Sequence, residues 1–203
     1  LLTALGIIIG VLSVTMMGTL ISGLDKTFES SMSMLGRDIL YISRYEWFSD
    51  MEWWEVKNRP RIRPDYVDKI KSRSRYALYV APVMQRGASL SYENKETRTE
   101  IFGTNEDYME TITTDIVQGR FFTNNEDRSG SRVTVIGYGI KEAFFGNQDP
   151  IGKHIKIDNL KFRVIGVLEK QGKFLGLFSV DKQAVLPLGA FERIFSKRGW
   201  MRL

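Results

Sequence analysis

The first 24 residues contain no charged side chain and no aromatic one, whereas all 29 lysines and arginines and all 24 acidic residues lie beyond them. As a helix, 24 residues would span about 36 Å, which exceeds the roughly 30 Å hydrocarbon core of a bilayer. A buried core helix rarely needs this length, and the apolar region of a signal peptide is usually about 7–15 residues long. Residues 1–24 therefore predict a transmembrane helix, with a signal segment as the alternative.

A helical pattern of apolar residues continues beyond this segment. Apolar side chains recur at intervals of four, four and three residues, at Leu24, Phe28, Met32 and Leu35. Gly36 follows them and is a typical residue at a helix C-terminus. We therefore expect an amphipathic stalk over residues 25–36, which would serve either to carry force or as a simple anchor.

The composition excludes several kinds of site. The chain has no cysteine, which rules out thiolate zinc sites, cysteine nucleophiles and disulfides. His154 is the only histidine, and its alternation with apolar residues places it on the solvent-exposed face of a strand. The net charge of +5 is modest, and the chain shows no long basic stripe, so nucleic-acid binding is not indicated.

Three short motifs come close to known catalytic or nucleotide-binding patterns. Residues 137–142 (GYGIKE) place a glutamate where a dinucleotide fingerprint needs its third glycine. Residues 146–154 (GNQDPIGKH) have five residues between the glycines and lead into a predicted strand, unlike a phosphate-binding loop. Ser179 and Lys182 match S-x-x-K, which occurs often by chance and leaves a membrane-tethered hydrolase as the enzymatic alternative. The sequence therefore predicts no catalytic, cofactor-binding or metal-binding residue.

Short strands and short helices follow one another along the rest of the chain. Alternating residues predict strands or hairpin arms at residues 38–43, 88–99, 131–136, 153–157, 160–168 and 184–188. Short helices are predicted at residues 64–72, at residues 104–111 with a capping box, and at residues 138–145 before Gly146. This mixture indicates an α+β fold.

An aromatic segment lies between the stalk and the first predicted helix, and it contains Trp47, Trp53 and Trp54. Such a segment near a membrane helix fits an interfacial belt, a partner surface or an apolar groove. Ordinary packing under a loop is the favoured interpretation, and the role of the three tryptophans stays open.

Five stretches occur in the order found in one transporter family. They are residues 2–11 (LTALGIIIGV), residues 119–123 (GRFFT) with Asp127, residues 143–146 (AFFG), residues 149–153 (DPIGK) and residues 162–168 (FRVIGVL). With these residues the whole chain resembles the MacB-like family of ABC-transporter permeases, in the first membrane helix and periplasmic core domain upstream of an FtsX-like membrane region.

The resemblance implies an α+β extracytoplasmic domain with a porter-like subdomain and an inserted β-rich subdomain. The implied divisions are a transmembrane helix (1–24), a stalk (25–36), the first porter-like part (37–87), the β-rich insertion (88–170) and a truncated second porter-like part (171–203). The family's other three membrane helices and its ATPase are not among these residues, so we expect a fragment of a longer protein.

The same resemblance implies a non-catalytic permease that couples cytoplasmic ATP hydrolysis mechanically to export or extraction of a substrate on the periplasmic side. It implies no cofactor for this chain, with ATP and magnesium only in the partner ATPase. The implied partners are a second permease copy or paralogue, a cytoplasmic ABC ATPase, membrane lipid and, in some members, a periplasmic adaptor with an outer-membrane tunnel. The implied location is the bacterial inner membrane, with the soluble domain in the periplasm or outside the cell. The alternative is a membrane-anchored sensor or binding domain without a transport role.

Overall fold

A long helix precedes a β-rich domain in the computed structural model, which describes residues 2–33, 39–43, 62–174, 178–179 and 181–195. Helix α1, Leu2–Ser33, is a single helix of 32 residues that runs through the apolar segment and past Asp25. The apolar part is therefore continuous with the first turns of the expected stalk. Gly36, the expected end of the stalk, lies outside the described residues.

The β-rich domain, called the head below, consists of residues 84–195. Its strands are β1 Met84–Tyr92, β2 Lys95–Thr104, β3 Ile116–Gly119, β4 Val133–Ile136, β5 His154–Ile157, β6 Leu160–Leu168, β7 Lys173–Phe174, β8 Phe178–Ser179 and β9 Gln183–Pro187. After α1, the described helices are α2 Tyr66–Arg73, a 3₁₀ helix Glu106–Thr111, α3 Asn124–Ser129, α4 Tyr138–Phe145 and α5 Leu188–Phe195.

Seven of the strands form one sheet in the order β3-β6-β4-β9-β2-β1-β5, and β5 also pairs with β6. Six strands therefore close into a barrel, to which β3 is added by pairing with the C-terminal end of β6. Closure leaves the six barrel strands without a long free edge, which removes a common route to aggregation. Strand β9 completes the ring by pairing parallel to β2 and antiparallel to β4.

Two tight hairpins build much of the barrel. In the β5–β6 hairpin, Asp158 and Asn159 form the turn with φ angles of 45° and 68°. Positive φ at both central residues is the geometry that matches the right-handed twist of the paired strands. The β1–β2 hairpin turns at residues 93–94, where Glu93 also has a positive φ. Both predicted hairpins are confirmed.

Two apolar clusters hold the head together. The larger one joins barrel side chains to α4 and α5, and its fully buried members include Leu90, Ile101, Ile155, Phe162 and Leu186. The smaller one is built around Phe122, Val133, Val135, Ile165, Leu168 and Val185. Each fully buried side chain of this size stabilises the fold by about 1.5–3 kcal/mol.

Other predicted elements have mixed outcomes. Helices α2 and α4 and strand β4 lie where they were expected, and Gly146 ends α4 with a φ of 55°. The predicted strand at residues 38–43 is wrong, because residues 39–43 pair with no strand in the described part of the chain. The last strand ends at Pro187, and Leu188 begins α5. The expected subdomain boundaries stay a prediction.

Candidate functional site

Helix α1 is long and apolar enough to cross a bilayer. The segment Thr3–Gly23 has a mean hydropathy of 2.2, and none of it is buried against the rest of the protein. The whole helix measures about 48 Å at 1.5 Å per residue, which exceeds the roughly 30 Å hydrocarbon core. Helix α1 is therefore a candidate for the membrane helix that the sequence predicts.

Three hydroxyl groups in the middle of this helix are satisfied internally. Ser13 donates to the carbonyl of Ile9 at 2.8 Å, and Thr15 donates to the carbonyl of Val11 at 2.7 Å. Thr19 donates to the carbonyl of Thr15 at 2.6 Å. An unsatisfied polar group in hydrocarbon costs several kcal/mol, so these bonds suit a helix surrounded by lipid.

The extended segment that follows α2 is fixed to the head by two polar side chains. Asn105 donates from Nδ2 to the carbonyl of Val80 at 3.0 Å, and Asp107 Oδ2 accepts the Val80 N–H at 3.2 Å. Both backbone groups of one residue are thus held as a neighbouring strand would hold them. We call this arrangement, together with the 3₁₀ helix, the coupling junction.

Helix α2 contacts the same carboxylate. Lys71 Nζ lies 2.5 Å from Asp107 Oδ2, and the two side chains are 38% and 14% exposed. None of the residues of α2 is buried, so apolar packing contributes little to the attachment of this helix. Asp107 therefore joins α2, the segment around Val80 and the head through one carboxylate.

Tyr41, in the stretch described after α1, has an electrostatic influence on the coupling junction. Burial, and to a smaller extent the neighbouring Tyr41, raises the pKa of Tyr108 to about 12. Burial also raises the pKa of Tyr41 above its ordinary value. Tyr108 lies in the 3₁₀ helix, and Tyr41 lies in residues 39–43. Tyr41 therefore lies within electrostatic range of Tyr108 in the 3₁₀ helix.

The GRFFT stretch forms a second joint, between β3 and α3. Arg120 binds the Glu126 carboxylate through both terminal nitrogens at 2.7 Å. Glu126 also accepts the Thr123 N–H, while the Thr123 hydroxyl accepts the Glu126 N–H, which completes a capping box. The Arg120 guanidinium, together with hydrogen bonds that the Thr123 N–H and hydroxyl donate to the carboxylate, lowers the pKa of Glu126 to about 2, against the opposing effect of burial.

Asp127 extends this joint to α5, the last described helix. Its Oδ1 accepts the N–H of Gly189 at 2.8 Å, at the start of α5. A Cβ at Gly189 would lie 2.3 Å from the backbone oxygen of Asp127, so only glycine fits there. Arg193 donates to the carbonyl of Ser129 at 2.5 Å. Burial raises the pKa of Asp127.

The two stretches that come close to nucleotide-binding motifs, residues 137–142 and 146–154, form packed turns in the structure. A Cβ at Gly137 would lie 2.2 Å from the carbonyl oxygen of Asp181, and Gly139 donates its N–H to that same oxygen at 3.1 Å. The space that a dinucleotide phosphate would need is thus filled by the chain itself. In the other motif, Asp149 Oδ1 accepts the Ile151 N–H at 3.0 Å within a turn.

The other residues that the sequence analysis weighed as candidates for a site are His154, Ser179 and Lys182. His154 is exposed on the outer face of β5, as expected from its alternation. Ser179 lies in β8 and Lys182 is exposed. Within the described ranges, no three acidic or histidine side chains are grouped to hold a metal ion. The absence of a catalytic or cofactor site stays a prediction, and Trp47, Trp53 and Trp54 lie outside the described residues.

Sequence reasoning missed the coupling junction. Residues 104–107 were expected to be a capping box, yet the 3₁₀ helix begins after Asn105, whose side chain does not cap it. That side chain reaches Val80 instead, 25 residues earlier in the chain. Thr-x-x-Glu at residues 123–126 did carry a local signal for α3, since it is a capping-box pattern.

Known proteins resemble the chain along its full length. The chain is 31% identical over 198 residues to the pyoverdine export ATP-binding/permease protein PvdT of Pseudomonas aeruginosa, covering 97% of this chain and 29% of that protein. It is 32% identical over 197 residues to the macrolide export ATP-binding/permease protein MacB of Bdellovibrio bacteriovorus, covering 97% of this chain and 30% of that protein. The chain thus spans less than a third of these relatives.

Solved structures support the fold. The extracellular domain of the noncanonic ABC-type transporter YknZ from Gram-positive bacteria matches with a TM-score of 0.58 at 23% identity, covering 66% of this chain and 67% of that one. The periplasmic region of MacB from Actinobacillus actinomycetemcomitans matches with a TM-score of 0.57 at 23% identity, covering 65% and 58%. These likenesses confirm the expected α+β fold, and the expected N-terminal apolar helix is present as α1.

The family model described as the MacB-like periplasmic core domain matches residues 1–202. This match covers almost the whole chain and agrees with the resemblance of the five sequence stretches and with the fold. The chain belongs to the MacB-like periplasmic core domain family of ABC exporters.

Proposed function

We propose that these residues form the first membrane helix and extracytoplasmic domain of an ABC-exporter permease subunit that transmits movement from the bilayer to the head. The observation that carries this proposal is the continuity of α1, which passes from an apolar span through Asp25 to Ser33 without a break. A helix that bends little can transmit a displacement along its length, whereas a flexible linker cannot.

The dimensions of α1 support this role. At 1.5 Å per residue, a bilayer core of about 30 Å takes up about 20 residues, which leaves roughly 12 residues, or about 18 Å of helix, outside the hydrocarbon. Asp25 is the first charged residue of the chain and lies within this outer part. The outer turns thus lie between the apolar span and the segments that precede the head in the sequence.

The coupling junction supports transmission on the side of the head. The segment around Val80 precedes the head and is hydrogen-bonded to Asn105 and Asp107 at the 3₁₀ helix. Tyr41 lies within electrostatic range of Tyr108 in the same helix. Because the Asp107 carboxylate makes both contacts, one substitution at Asp107 removes the ion pair with Lys71 and the acceptor of the Val80 N–H together. The coupling junction can therefore be disrupted by a single substitution that leaves the barrel residues unchanged.

ATP hydrolysis and the partner proteins lie outside the head. Energy comes from ATP hydrolysis with magnesium in a cytoplasmic ABC ATPase, which the names of the relatives place in the same protein in their case. A second permease copy or paralogue completes the membrane unit, lipid surrounds α1, and a periplasmic adaptor with an outer-membrane tunnel receives the cargo. Helix α1 lies in the inner membrane, and the head lies in the periplasm or outside the cell and catalyses no reaction.

Labelling of an introduced cysteine, in a transporter whose cysteines elsewhere are replaced, tests the proposed arrangement, since these 203 residues contain no cysteine. Glu93→Cys places a thiol at the exposed β1–β2 turn, in the complete transporter in intact cells. A membrane-impermeant maleimide labels this thiol from outside once the outer membrane is permeabilised, and the complex co-purifies with an ABC ATPase. Labelling only after cell lysis contradicts an extracytoplasmic head. Purification without any ATPase contradicts the exporter and favours a membrane-anchored sensor or binding domain.

A further inference from the structure

The outer face of the β5–β6 hairpin carries basic side chains and no acidic one. Inward-facing residues of the two strands are buried, while the outward-facing residues are exposed: His154 and Lys156 on β5, and Lys161 and Arg163 on β6. We call these four residues the basic face. They belong neither to the coupling junction nor to the GRFFT joint.

Basic residues on this face stand directly opposite one another. In the strand register, Lys156 faces Lys161 and His154 faces Arg163. Like charges directly opposite in a sheet destabilise it, so the Lys156–Lys161 pair gives the fold no benefit. In the described part of the chain, none of these four side chains takes part in an ion pair, a side-chain hydrogen bond or a ring contact.

The nearest acidic group of the hairpin does not neutralise this face. Asp158, in the turn, lies 3.2 Å from Arg86 through Oδ2 and accepts the Ser89 N–H through Oδ1 at 3.1 Å. Its carboxylate is therefore occupied by β1. The basic face thus remains a positive surface with its hydrogen-bond donors free for another molecule.

The backbone beneath the face is held firmly. Strand β5 pairs with both β1 and β6, and the side chains between the basic positions, including Ile155, Ile157 and Phe162, are fully buried. Opposite positions in antiparallel strands lie about 5 Å apart, and alternate positions along a strand lie about 6.8 Å apart. The four basic side chains therefore start from backbone positions whose spacing is fixed by the sheet.

We propose that the basic face binds an extended acidic segment of a partner protein, with carboxylates at every second residue. An extended segment repeats its side chains at the same spacing of about 6.8 Å, so two carboxylates reach two successive basic pairs without distortion. Opposite charges on the two surfaces favour this contact and make it salt-dependent. A layer of anionic lipid headgroups has no such repeat. The inference goes beyond the proposed function, since it concerns a surface distant in sequence from the coupling junction.

Binding of two synthetic peptides to the whole chain in neutral detergent tests the proposal. One peptide, ETETETET, has glutamate at every second residue, and the other, EEEETTTT, has the same composition in blocks. The alternating peptide binds at least threefold more tightly at low salt. The double substitution Lys156→Gln/Lys161→Gln weakens its binding at least tenfold without lowering Tm.

A matched pair of exposed lysines outside the face serves as control. The double substitution Lys69→Gln/Lys182→Gln changes the net charge equally and leaves peptide binding within twofold. Equal loss in both double variants, or equal binding of the two peptides, overturns the proposal. Binding to vesicles of phosphatidylglycerol tests whether a lipid surface occupies the basic face instead. If they bind through Lys156 and Lys161 while the alternating peptide does not, the occupant is a lipid surface and the protein partner is wrong.

Discussion

Asp107 Oδ2 accepts the backbone N–H of Val80 at 3.2 Å and lies 2.5 Å from Nζ of Lys71. One carboxylate therefore holds both α2 and the extended segment that follows it. Helix α2 has no buried residue, which makes this polar contact important for its attachment to the head. This relationship makes Asp107 the most informative single position for the proposed coupling.

The substitution Asp107→Ala should loosen the segment around Val80 while leaving the barrel folded. The change removes the ion pair with Lys71 and leaves the Val80 N–H without its acceptor, at a cost of about 2 kcal/mol. Hydrogen exchange followed by mass spectrometry should show faster exchange over residues 76–83. Asp65→Ala is the matched control, since Asp65 pairs with Arg63 on the exposed surface. Unchanged protection of residues 76–83 in Asp107→Ala would contradict the junction.

The Arg120–Glu126 pair predicts acid sensitivity at a defined pH. The pKa of Glu126 is lowered to about 2 in the folded protein, so its contribution to stability is complete above the ordinary glutamate pKa near 4.5 and is lost as the pH falls toward 2. Glu126→Gln should lower stability at pH 7 by about 1–2 kcal/mol and flatten its decline between pH 4.5 and pH 2. Thermal unfolding of both proteins across that range measures the difference. Parallel pH profiles would show that Glu126 does not titrate as described.

Gly189→Ala should be among the most damaging small substitutions in the head. The added methyl group would lie 2.3 Å from the Asp127 backbone oxygen, so α5 must move away from α3. We expect a loss of about 2–3 kcal/mol in denaturant unfolding. Gly87→Ala is the control, because a Cβ there meets only Glu100 Oε1 at 3.6 Å. If the two variants are equally stable, the close approach of α3 and α5 is wrong.

The stalk sequence gives a prediction about coupling. Phe28→Gln with Leu35→Gln places polar groups on the apolar stripe at helical spacing, which removes the surface by which adjacent stalks or neighbouring segments pack. In the complete transporter, ATP hydrolysis should stay within twofold of the native rate while export falls at least tenfold. The barrel should keep its Tm, which separates this effect from unfolding. Export at the native rate in this double variant would leave the stalk as an anchor only.

The parts of the fold that the sequence could predict depend on local chemistry. The turn at Asp158 and Asn159 lies between two alternating arms, and both residue types tolerate positive φ, so the hairpin can be recognised from adjacent residues. Helix α4 likewise begins after Gly137 and ends at Gly146, two glycines visible in the sequence. The candidate membrane span is predictable for a similar reason, since residues 3–23 carry no charged side chain.

The parts that could not be predicted depend on contacts between distant residues. Barrel closure requires Leu90 to pair with Ile157, and Glu100 with Gln183 in a parallel register. No local pattern encodes either pairing, because loop length only weakly restricts which strands meet. The bonds of Asn105 and Asp107 to Val80 are similar, since polar side chains near a helix start are usually expected to cap it. Helix α5 did carry a signal in the spacing of Leu188, Phe191 and Phe195.

The most direct test of the central claim compares distances between the two subunits of the complete transporter. Spin labels at Asp25→Cys report on α1, and labels at Glu93→Cys report on the head, in nanodiscs with and without ATP. The account predicts that both distances change with ATP in the native background, and that Asp107→Ala preserves the change at residue 25 while abolishing it at residue 93. An undiminished change at residue 93 in Asp107→Ala would contradict transmission through the coupling junction.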